Sequence, residues 1–137
     1  MTRTWPHDLA AFMIRFGLAA VFMFHGAQKL FGWFGGKGLG PMIEHQGPIL
    51  GVLISVGEFF GGLGLLLGVL TRFSGASQAL IMAGAVYLVH GKNGFALSDG
   101  GFEYNLVLGL MALSIAIGGP GRWVILPLPD RLRPWAE

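Results

Sequence analysis

The chain has no cysteine among its 137 residues. That excludes disulfides, thiolate metal sites and iron–sulfur clusters held by its own side chains. Charge is scarce as well: only 12% of the residues are Asp, Glu, Lys or Arg, against about 25% in an average soluble domain. Apolar residues make up 53% and the mean hydropathy is +0.65. So few polar groups cannot cover a water-facing surface, and lipid is the solvent this composition implies. The net charge of +2 comes from nine Lys and Arg against seven Asp and Glu. Those few cations are scattered around apolar runs, so they read as topology signals rather than as a nucleic-acid surface. No serine sits in a nucleophile-elbow pattern, and without cysteine neither hydrolytic set is available. The glycines at 35–40 lack the spacing and the following Ser or Thr of a phosphate-binding loop.

What is present is a series of long apolar runs. The length suits one domain, taken as residues 1–137. A bilayer takes about 20 helical residues at about 1.5 Å each. The runs predict four spans, at about 9–31, 49–70, 75–90 and 103–118. The first follows Arg3 as a secretory signal would, but Arg15 interrupts it and no cleavage site follows, so it reads as a retained span. Trp5 suits an interfacial anchor and Asp8 an N-cap. Residues 32–48 are a glycine-rich loop with a short interfacial turn expected at 42–45, and 71–74 is a tight turn. After Gly119-Pro120-Gly121 the prolines at 127, 129 and 134 oppose a fifth helix. The fold expected is an all-α bundle of four transmembrane helices.

The second span carries the most information. Glu58 would lie roughly 13 Å below the end at which that helix enters, near the midplane, where a charge costs about 2.5–3.5 kcal/mol on insertion scales. It therefore needs a partner, and Arg15 or His25 of the first span comes to a similar depth. Gly57, Gly61, Gly64 and Gly68 form a stripe for close helix packing, and Gly75, Ala79 and Ala83 form another in the third span. Arg3, Arg15, Arg72, Arg122, Arg131 and Arg133 fall on one side, and Lys29, Lys37 and Lys92 on the other. The positive-inside bias then puts both termini in the cytoplasm. His25-Gly26 and His90-Gly91 close the first and third spans, an echo of a doubled helical hairpin.

Several of these residues also carry a family likeness. Arg15 lies early in the first span, His25-Gly26 with Lys29 lies at its end, and Glu58 to Gly62 reads Glu-x-x-Gly-Gly. Gly68 with Thr71-Arg72, Glu103 opening the fourth span and a final Gly-x-Gly stop complete the order. In this the chain resembles the DoxX/DoxD family of small four-helix membrane proteins. The resemblance departs at 122–125, where Arg-Trp-Val-Ile stands in place of a Ser-Leu-Asp-like segment. It implies a multi-pass protein of the cell (inner) membrane and, for some members, association with quinone-linked oxidoreductases.

The polar core expected is Glu58, Arg15, His25 and Glu103, with His25, Lys29 and His90 as cofactor-binding candidates. His25, Lys29, His90 and Glu103 would face one another around an outward-opening cavity floored by Glu58. Carboxylates and imidazoles there would exchange protons beside a quinone headgroup. The plainer alternative is an Arg15–Glu58 pair that only fixes packing, with Lys29 and Lys92 snorkelling to the headgroups. Haem ligation by His25 and His90 requires their two helices to face each other and is disfavoured, as is a metal held by His25, His90 and Glu103. The leading function is the membrane subunit of an oxidoreductase system that interacts with quinone. The rivals are a docking module that binds a partner enzyme through its small-residue faces, and a small-solute or ion carrier working as a homo-oligomer.

Overall fold

The computed structural model describes residues 5–129; Arg3, Arg131, Arg133 and Pro134 lie outside them. Among the described residues the regular structure is all helical. Helix α1 is Trp5–Leu30, α2 is Leu39–Gln46, α3 is Pro48–Leu67, α4 is Thr71–Ala85 and α5 is Glu103–Gly118. Three runs are long and apolar enough to cross a membrane: Trp5–Leu30, Pro48–Leu67 and Thr71–Asn93. The fourth, Glu103–Gly118, is shorter, about 24 Å of helix.

Two differences from the expected boundaries have local causes. Helix α1 already begins at Trp5, so Asp8 sits in its first turn and not at an N-cap. Helix α4 begins at Thr71, which shrinks the expected turn to the residues just before it. There Gly68 (φ 79°) and Leu70 (φ 48°) take left-handed backbone, and Val124 packs where a Gly68 Cβ would stand. The interfacial turn expected at 42–45 is the longer helix α2, packed so closely on α3 that a Cβ on Gly51 would strike Met42.

Helix α1 packs on α3, α4 packs on α5, and α3 joins the two pairs through α4. Leu18, Phe22, Leu65, Met82, Leu108 and Ile115 meet in the core. Both small-residue stripes are used inside the chain. Gly57 faces Ile81, Gly61 faces Gln78 and Gly64 faces Ser74, so the first stripe seats α4. Gly75 lies against Ala112 and Ala116, so the second seats α5. Large apolar side chains such as Ile49, Phe73, Leu80 and Ile117 point outwards, as a surface solvated by hydrocarbon requires. The third span does not end as a plain helix. A π-helical turn, Val86–His90, and a 3₁₀ turn, Gly91–Asn93, carry the chain into the loop before α5.

Candidate functional site

The site is set by the register of α1 against α3. Gly26 has no side chain, and a Cβ there would collide with the backbone of Phe59. Lower down, Gly62 meets Phe22 and Met23 in the same way. This close approach makes Gly26 level with Phe59 and brings Lys29, almost one turn further on, beside Glu58. Lys29 Nζ donates to Glu58 Oε1 at 2.5 Å and to Oε2 at 2.6 Å. The Glu58 side chain is 3% exposed and that of Lys29 is 30% exposed. Glu58 therefore has an ion partner inside the bundle, and the partner is neither Arg15 nor His25.

Arg15 serves a different end of the molecule. It is 1% exposed, and its guanidinium donates to the carbonyls of Leu65 (2.8 Å), Pro120 (2.7 Å), Trp123 (2.9 Å) and Leu66 (3.4 Å). The α3 carbonyls lie in the last turn, where they lack intrahelical donors and carry the negative end of the helix dipole. Arg15 thus closes the C-terminal end of α3 and holds the segment after α5 against it. His25 Nδ1 lies 3.1 Å from Gln28 Oε1. Glu103 also leaves the expected cluster: its Oε1 accepts from the Leu97 backbone N–H at 2.8 Å, tying down the loop before α5.

His25, Lys29, Glu58 and His90 do line one small cavity, of about 260 Å³, and the α5 residues there are Tyr104 and Asn105. His90 Nδ1 lies 2.9 Å from the Gly100 carbonyl, and Asn105 Nδ2 lies 3.6 Å from Met82 Sδ. A larger groove of about 1120 Å³ adjoins this chamber. Its walls are apolar side chains of α3 and α4, among them Leu53, Phe60, Leu63, Leu80 and Leu88. Lys29, Glu58, Met82, His90 and Asn105 line both spaces. The chamber and the apolar groove thus stand side by side, with these residues between or around them.

Three residues with a part here escaped the sequence reading. Tyr104 and Asn105 follow Glu103, and only helical phase decides which of the three turns inward. Gln78, fully buried, donates from Nε2 to the carbonyls of Gly57 (2.8 Å) and Glu58 (3.3 Å) and so holds the Glu58 backbone in place. An amide in the middle of an apolar span, facing a glycine stripe, was the available signal. Among the described residues no group of three or more His, Asp or Glu is placed to hold a metal ion.

No curated protein and no solved structure matches the chain. The DoxX family model matches residues 10–91, well over half of the chain, from early α1 through the π-helical turn to Gly91. Arg15, His25, Lys29, Glu58 and His90 all fall within that match, while the α5 wall of the chamber lies beyond it. By that match, and with its three long apolar helices, the chain is an integral membrane protein belonging to the DoxX family.

Proposed function

We propose that this protein binds the headgroup of a prenylated quinone between its helices, as the membrane subunit of an oxidoreductase system. One observation carries the reading: the chamber around Lys29 and Glu58 adjoins an apolar groove about four times larger and shares lining residues with it. A ligand that fills both needs a compact polar head and a long hydrocarbon tail, and it would enter sideways from lipid. Lys29, Glu58, His25 and His90 would hold the head, and the α3–α4 groove would hold the first units of the tail. When bound, the quinone would supply the two-electron chemistry, and the ionisable side chains would supply positioned proton donors and acceptors.

The same architecture supports the rest of the proposal. The protein resides in the cell membrane with α5 as a fourth span and both termini in the cytoplasm. Arg15, Arg72 and Arg122 all contact the end of the bundle where α1 starts and α3 and α5 finish, as a positive-inside arrangement requires. The docking alternative is less favoured, because Gly57, Gly61, Gly64 and Gly75 already receive side chains or backbone of neighbouring helices.

Solvent extraction of the protein purified from native membranes tests the reading. Quinone should be recovered at about one per chain, and Leu63→Trp, which fills the groove, should reduce it severalfold. If no quinone is recovered and the spectrum shows neither haem nor flavin, the redox reading is lost.

A further inference from the structure

The hydrogen-bonding groups of the chamber differ in what they have left to offer. The Gly100 carbonyl can only accept, so His90 Nδ1 must carry the hydrogen. The same holds for His25. Gln28 donates from Nε2 to the Phe34 carbonyl at 3.2 Å, which fixes the amide so that its oxygen faces the ring, and His25 Nδ1 must donate to it. In the neutral form of either ring Nε2 then carries the lone pair, and among the described residues no hydrogen bond to either Nε2 is formed. Asn105 is oriented in the same sense: its NH₂ is directed at Met82 Sδ, which leaves Oδ1 as a further acceptor. Three acceptors, on α1, on the π-helical turn and on α5, are therefore uncommitted around one small space.

The donors left are placed differently from the imidazoles: Lys29 spends two of its three N–H bonds on Glu58, Asn105 keeps one amide hydrogen beside its bond to Met82 Sδ, and the Tyr104 hydroxyl belongs to a residue 38% exposed. A quinone head brings two carbonyl acceptors, so in this chamber it would set acceptor against acceptor at the imidazoles. A hydroquinone head has the same ring but brings two O–H donors. A site built to receive a hydroxyl discriminates strongly against an analogue without it.

We propose that the chamber selects the reduced, dihydroxy form of its ligand, which His25 Nε2, His90 Nε2 and Asn105 Oδ1 bind as hydrogen-bond acceptors. This rests on the quinone reading above and adds the oxidation state that the site prefers. The selection is one of binding alone: the two hydroxyl hydrogens stay on the ligand and no electron is transferred in the step described.

Three probes with one decyl tail separate the possibilities: a benzohydroquinone, the corresponding benzoquinone and the hydroquinone dimethyl ether. Each is titrated anaerobically into the full-length protein in lipid nanodiscs, with empty nanodiscs correcting for partition into lipid. The hydroquinone should bind about tenfold or more tightly than either of the others. His90→Phe should shrink that ratio, and the ether series carries the test without any change to the protein. If quinone or ether binds as tightly as hydroquinone, oxidation-state selection is wrong while the ligand class survives. If none binds above empty nanodiscs, the ligand class falls with it.

Discussion

The two ends of this bundle bury charge in opposite ways. At the end where α1 starts and α3 finishes, Arg15 is surrounded by backbone: its partners are carbonyls of α3 and of the segment after α5. Arg72 repeats the device on the second helix pair, donating to the carbonyls of Ala116 (2.9 Å) and Ile117 at the close of α5. Towards the opposite end a charge faces a charge, Lys29 against Glu58, and the pair borders two open spaces. A cation held by carbonyls neutralises helix dipoles and has nothing to exchange. A side-chain pair beside a cavity can be rearranged by whatever enters. The Arg15 end is therefore a clasp, and the Lys29 half is where a ligand can act.

Breaking the clasp should have the largest effect. Arg15→Met strands several buried carbonyls at once, and no second substitution can remove those partners. A loss of about 3–5 kcal/mol is expected, of the size seen when a buried charge contact is broken, read as a large drop in the unfolding midpoint in detergent. Lys29→Met should cost about 2–3 kcal/mol, less because the lysine reaches solvent, and here rescue is possible. Adding Glu58→Leu to Lys29→Met removes the stranded carboxylate, so stability should return nearly to wild type while quinone recovery stays low. A double variant as unstable as Lys29→Met alone would show that the Lys29–Glu58 pair is also a structural clasp, and the contrast would dissolve.

The sequence displayed the materials of both ends but not their pairing. The apolar runs, the need of Glu58 for a partner and the glycine stripes are properties of single helices, and periodicity reveals them. Which side chains meet depends on how far one helix slides along another. The close seat of Gly26 on Phe59 places α1 so that Lys29, expected to snorkel, reaches Glu58, and Arg15 falls well below it. Aligning the span ends, as the sequence invites, puts Arg15 too high and Lys29 too far out. The expectation of His25, Lys29 and His90 around Glu58 needed only a shared end of the bundle, which topology supplies. Glu103 needed the phase of α5 as well, and the next two residues face the chamber in its place.

A weaker clasp at the Arg15 end sharpens the contrast. Asp8, fully buried, accepts from the Arg122 backbone N–H at 3.0 Å and from Arg122 Nε at 2.7 Å. The Arg122 side chain is 66% exposed, so water competes for that partner and the ionic share is small. Asp8→Asn keeps one acceptor oxygen for the backbone N–H. The expected loss is about 1–2 kcal/mol by thermal unfolding, with quinone recovery unchanged. A fall in ligand content from this distant change would mean that the two ends are coupled.

The smallest effect belongs to the residue that both the motif and the residue type favoured. Glu103 opens α5, where its charge lies near the positive end of the helix dipole, a contribution of about 0.3–1 kcal/mol at an exposed site. Its Oε1 also accepts from the Leu97 N–H, a bond that a glutamine oxygen makes equally well. Glu103→Gln therefore removes the charge and keeps the geometry, and about 0.5 kcal/mol of stability should go with it. Hydroquinone affinity should stay within about twofold, because the α5 contribution to the chamber is Tyr104 and Asn105. Asn105→Leu, one helical step of about 100° further round than Tyr104, deletes an uncommitted acceptor and should weaken hydroquinone binding more than quinone binding. Were Glu103→Gln the more damaging of the two for affinity, the inward face of α5 would have to be redrawn one or two residues earlier, and the acceptor count around the chamber with it.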